Sequence, residues 1–152
     1  FEYVCKLDVE RSQKNGVPEK DYSEMPEAFS HVSPESLGDY MKAQFHYWSE
    51  DEIACNFRKM LTLEQYKSPE MNALYQKVLV SGPMDYIENL FREISKEQKK
   101  QLPSPHELAV EFYSPFYLLL SMSDGADCRE KKEEIAQSYI NYIDDFFQKY
   151  FS

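Results

Sequence analysis

The sequence predicts an all-helical bundle, and three observations carry that expectation. Glycine occurs only at 16, 38, 82 and 125, so the chain has few of the turn points that closely spaced strands need. No run of alternating apolar and polar residues is bounded by turn pairs, whereas apolar residues recur three and four apart through most of the chain. With 42% hydrophobic and 15% aromatic residues in 152 positions, the chain can bury a sizeable core as one domain spanning 1–152. About six to seven helices are expected.

Phe1, Val4, Cys5 and Val9 fall at helical spacing up to Asn15-Gly16, which predicts a helix over 1–14. Its abrupt apolar opening suggests that a segment precedes it. Residues 16–33 contain two prolines and little periodicity and read as a loop. Ser33-Pro34-Glu35 is a cap followed by proline in the first turn. It predicts a helix from Pro34 to about Trp48 with Leu37, Tyr40, Met41, Phe45 and Trp48 on its apolar face.

Ser49 with Glu52 three residues on forms a candidate capping box, predicting a helix through Ile53, Phe57, Met60, Leu61 and Leu63 to about Tyr66. Ser68-Pro69 repeats the cap-and-proline start, with Met71, Leu74, Tyr75 and Val78 following. Gly82-Pro83 interrupts that helix, and Met84, Ile87, Leu90, Phe91 and Ile94 then lie on one face as far as the polar run at 96–101. Ser104-Pro105 is the third such start. Between 108 and 122 apolar and aromatic residues occupy nearly every side, so this helix has no solvent-facing polar half. Pro115 should kink it and free a backbone carbonyl one turn earlier. Ser123-Asp124-Gly125 makes the turn, and a last helix over about 127–151 carries two apolar stripes.

The charge of −10 argues against binding nucleic acid directly, because phosphate recognition needs a basic face. No stretch reaches the roughly 18 apolar residues of a membrane span, and the first residues lack a signal-peptide pattern; a cytoplasmic protein is expected. Cys5, Cys55 and Cys128 are odd in number and show no CxxC spacing, so reduced thiols are expected. His31, His46 and His106 have no metal-ligand spacing, and no metal or cofactor is expected. The acidic pairs, Glu50-Asp51-Glu52, Glu133-Glu134 and Asp144-Asp145, read as solvated faces or caps, and no nucleophile or phosphate-loop motif appears, so an enzyme is not expected.

Two constellations remain. The last two helices, over 104–151, carry more apolar surface than a single layer covers, and pairing with a second copy would bury it in an isologous four-helix interface. Phe112, Phe116, Leu119, Tyr139, Tyr142 and Phe146 are the expected contacts; the alternative is that both are central helices of one chain. The helices over 34–95 are dense in aromatic residues and methionine, as a small-molecule cavity between bundle helices would be. Tyr40, Phe45, His46, Trp48, Phe57, Met60, Leu61, Tyr66, Tyr75, Tyr86, Tyr113 and Tyr117 are the candidate lining residues, against the plain alternative of ordinary core.

The run NFRKMLTLEQYKSPEMNALYQKVLVSGPMDYIENLF, residues 56–91, and the run PHELAVEFYSPFYLLLSMSDG, residues 105–125, resemble the C-terminal domain of TetR family regulators of Firmicutes. That resemblance implies that the first helix links to a helix-turn-helix head absent from this sequence, that the helices from Pro34 to Ile94 surround an effector cavity, and that the last two dimerise. It also implies a transcriptional repressor. Two rivals need no such head: a constitutive helical dimerisation or adaptor module with a filled core, and a small helical enzyme using His46 with a nearby carboxylate.

Overall fold

Serine followed by proline opens three of the helices. In the computed structural model, which describes residues 33–152, Ser33, Ser68 and Ser104 each accept a backbone N–H from the residue three positions on, at 3.1, 3.2 and 3.2 Å. The proline beside each cap has no N–H to leave unpaired and a φ already suited to the helix. Loss of one such cap costs about 1 kcal/mol. The expected helix over 1–14 and the loop up to 32, with Cys5 and His31, lie outside the described residues.

These starts give α1 (Pro34–Glu50), α2 (Glu52–Glu64), α3 (Pro69–Tyr75), α4 (Ser81–Lys96), α5 (Pro105–Asp124) and α6 (Arg129–Phe151). A π-helical segment, Gln76–Val80, joins α3 to α4, so the described residues form five helical rods with no strand among them. One boundary differs from expectation. Ser49 is buried inside the last turn of α1, and Asp51 caps α2 by accepting the Ala54 N–H at 3.0 Å. Packing of the α1 end carries that helix past the serine.

α5 packs against both α4 and α6, and α1 packs against α6. The main core forms where they meet, from Leu37, Met41 and Phe45 of α1, Leu90 and Phe91 of α4, Phe112 and Phe116 of α5, and Tyr139, Ile143 and Phe146 of α6. Its rings interlock: Phe45 stacks on Tyr139 at 4.6 Å, and Phe112 meets Phe91 edge-on at 5.3 Å, geometries that add to simple burial. A smaller cluster of Phe57, Leu61, Tyr75 and Leu79 fills the space between α2 and the π segment. Arg58 pins this end. Its guanidinium grips Asp124 bidentately at 2.7 and 2.6 Å and donates to the Trp48 carbonyl at 3.3 Å, joining α2 to the ends of α5 and α1.

Most of the residues expected as dimer contacts lie inside this core. Phe112, Phe116, Tyr139 and Phe146 are all at most 3% exposed within one chain, so they cannot be offered to a partner without unpacking the domain. Leu119 and Tyr142 are half-buried against the same core. α5 leaves a different face to solvent, with Val110, Leu118 and Met122 at 44, 61 and 49% exposed. No described helix is long and apolar enough to cross a membrane.

Candidate ligand cavity

Two prolines each leave a helix carbonyl without its usual donor, and one of them, Pro83, lines the site. Pro83 lies in the first turn of α4 and cannot donate to the carbonyl four residues back, that of Leu79. The Tyr113 hydroxyl of α5 donates to that oxygen at 2.5 Å. Pro115 within α5 likewise deprives the Glu111 carbonyl, and the Tyr142 hydroxyl of α6 donates to it at 2.6 Å. A helix break is therefore satisfied, in both cases, by a tyrosine from the neighbouring helix.

At the first of these breaks the helical register slips through the π segment. An early carbonyl of that segment and the start of α4 approach so closely that a Cβ on Gly82 would sit 1.9 Å from the Lys77 carbonyl oxygen. π segments of this kind widen a helix locally and are frequent at binding sites. Here the widened helix forms one wall of a cleft of about 470 Å³, with α1 and α5 as the other walls. α1 contributes Tyr40, Met41, Gln44 and Trp48; the π segment Lys77, Val78 and Leu79; α4 Gly82, Pro83, Tyr86 and Ile87; α5 Tyr113 and Phe116. The volume lies within the range of small-molecule sites, and the walls are mostly apolar and aromatic, as such sites require.

Polar groups in the cleft are few and placed. The Trp48 indole N–H donates to Gln44 Oε1 at 3.2 Å, and the Tyr40 and Tyr86 rings lie 6.0 Å apart. Burial pushes the Tyr113 hydroxyl well above the ordinary tyrosine range, with Tyr75 nearby adding to the effect, so it stays a neutral donor to Leu79.

Of the residues expected to line a cavity, Tyr40, Trp48, Tyr86 and Tyr113 do so. Phe45 is instead packed in the core, and Phe57 and Leu61 belong to the smaller cluster, with Met60 against it. Tyr75 and Tyr117 line, with Tyr113, a separate void of about 110 Å³ beside Arg58. His46 is exposed, as is Tyr66. Among the described residues the one histidine–carboxylate contact is His106 Nδ1 to Glu88 Oε2, 3.0 Å apart on the surface, and no group of three or more His, Cys, Asp or Glu is arranged to hold a metal ion. Sequence reasoning missed Gln44, Lys77, Leu79 and Pro83 as lining. The available signal was the Gly82-Pro83 pair, which marked a break without revealing that the break faces a cavity.

Compared with family models, curated proteins and solved structures, the chain matches none of them.

Proposed function

We propose that this chain is the ligand-sensing and homodimerisation domain of a TetR-type bacterial transcriptional regulator, a cytoplasmic repressor whose DNA-binding head lies in another part of the full protein. The carrying observation is the 470 Å³ cleft built on a helix break. A π segment is a place where a helix can change register, so a ligand seated against it can bias a two-state element. The resemblance of residues 56–91 and 105–125 to the TetR C-terminal domain supports the same reading. The effector would act by displacing the helix that leads to the head, altering the spacing of two heads on successive half-sites.

The exposed Val110, Leu118 and Met122, one turn or two apart on α5, are the surface through which a second copy would pair, an isologous contact across a twofold axis. That stripe taken alone also favours the adaptor reading, in which dimerisation is constitutive and the cleft stays empty.

Native mass spectrometry of the purified chain tests the proposal. A dimer that carries a small molecule lost on activation is expected, and Leu118→Glu should convert it to monomer. A wild-type monomer at every concentration overturns the dimerisation reading, and a dimer whose Trp48 emission responds to no compound in a broad library moves the function to the adaptor.

A further inference from the structure

Charge is distributed unevenly between the cleft and the rest of the molecule. The chain has 27 Asp and Glu against 17 Lys and Arg, so a cleft placed at random would hold more carboxylates than cations. The one charged residue among its lining is a cation, Lys77, on the π segment. Among the described residues Lys77 has no salt-bridge partner, so no carboxylate neutralises its charge. Gln44 adds to the asymmetry. Its Oε1 accepts the Trp48 indole N–H, and its amide N–H groups are donors for a ligand acceptor. The cleft thus holds amide donors and a single positive charge among aromatic walls.

We propose that the cleft takes an aromatic carboxylate, its rings among Trp48, Tyr86 and Phe116 and its carboxylate at Lys77 and Gln44; this assignment rests on the sensor reading above. A carboxylate offers acceptors alone and so complements the ammonium of Lys77 and the amide N–H groups of Gln44. A cationic ligand would meet Lys77 as a like charge, and no acidic lining residue would compensate it.

Three biphenyls of nearly equal size test this: biphenyl-4-carboxylate, biphenyl-4-carboxamide and protonated (biphenyl-4-yl)methylamine, titrated near pH 7, where the first and last are charged. Emission of Trp48, the single tryptophan of the chain, reports occupancy. The carboxylate is expected to bind about tenfold more tightly than the amide, and the amine most weakly. Lys77→Met should remove that margin by weakening the carboxylate alone, and Lys77→Arg should keep it. Lys77 is exposed, so both variants should fold, which far-ultraviolet circular dichroism checks. Equal affinity for acid and amide, or a preference for the amine, overturns the ligand class while leaving a working cavity. Silence of Trp48 and of calorimetry toward all three removes the cavity as a sensing site, and the ligand class with it.

Discussion

The Tyr113 hydroxyl donates its proton to the Leu79 carbonyl oxygen, 2.5 Å away, and that oxygen is the one whose helical donor is missing because residue 83 is proline. The bond spans α5 and the π segment, so it ties the wall of the cleft to the core helix. Both groups are buried. An unpaired carbonyl there would keep its full desolvation cost.

Tyr113→Phe is therefore expected to destabilise the protein by about 1–3 kcal/mol, measured by urea unfolding. Pro83→Ala supplies an N–H at the position from which a helix would normally donate to Leu79. In the Pro83→Ala background the same Tyr113→Phe change should cost clearly less, a coupling that a double-mutant cycle reads directly. Equal costs in both backgrounds would mean that the tyrosine acts through packing alone.

Tyr142 performs the same task at Glu111, and its titration gives a pH signature. Burial, with the Glu111 carboxylate next in effect, pushes its hydroxyl from the ordinary 10.0 up to about 12. A raised folded value means that the unfolded chain loses the proton first. The contribution to stability is then full below about 10 and is lost as pH rises through about 12. Stability should fall over that window, and Tyr142→Phe should flatten part of the fall. Tyrosinate absorbance followed alongside unfolding checks the assignment.

Tyr139 predicts the opposite sign for the same chemical deletion. It is fully buried, stacked on Phe45, and its hydroxyl has no hydrogen-bond partner. Tyr139→Phe keeps the ring and removes an unpaired polar atom, so the melting temperature should hold or rise. A loss comparable to that of Tyr113→Phe would show that the Tyr139 hydroxyl is bonded in solution.

The contrast among these tyrosines also explains what the sequence made legible. Cap-and-proline starts at Ser33, Ser68 and Ser104 are local devices, and each stands where its residues predict it. Likewise the orphan carbonyl expected from Pro115 follows from covalent structure alone. Partner choice is not local. Apolar stripes on α5 and α6 specify that Phe112 and Phe146 are buried, yet the same stripes fit a contact with α1 and α4 as well as one with a second chain. Tyr40, Trp48, Tyr86 and Tyr113 were found as lining because aromatic rings at helical spacing stand out. Lys77 and Leu79 were not, since a π segment breaks the 3.6-residue period on which such spacing rests.

Thiol reactivity should follow burial in the same manner. Cys55 is half-buried and donates its S–H toward the Trp48 carbonyl at 3.2 Å; burial raises its pKa, with Arg58 and Lys59 working against the shift. Cys128 is exposed. Under native conditions iodoacetamide should modify Cys128 well before Cys55, and peptide mass mapping over time separates the two. Faster reaction at Cys55 would mean that the α1–α2 junction opens readily.

Two glycines distinguish backbone from side-chain crowding. A Cβ on Gly38 would meet Phe147 Cε2 at 3.1 Å and Ile143 Cγ2 at 3.3 Å, side-chain atoms that can yield slightly. Alanine in a helix gains about 1 kcal/mol over glycine, so Gly38→Ala should be close to neutral. At Gly82 the obstacle is the Lys77 carbonyl oxygen at 1.9 Å, which belongs to the backbone of the π segment and cannot turn aside. Gly82→Ala should cost about 1–3 kcal/mol despite the same helical gain. Because the displaced carbonyl lies in the cleft wall, Trp48 emission should shift in Gly82→Ala and stay as in the parent in Gly38→Ala. Comparable stability for the two variants would mean that the π segment relaxes to an ordinary α-helix at little cost, and the tight junction would then place no constraint on the shape of the cleft.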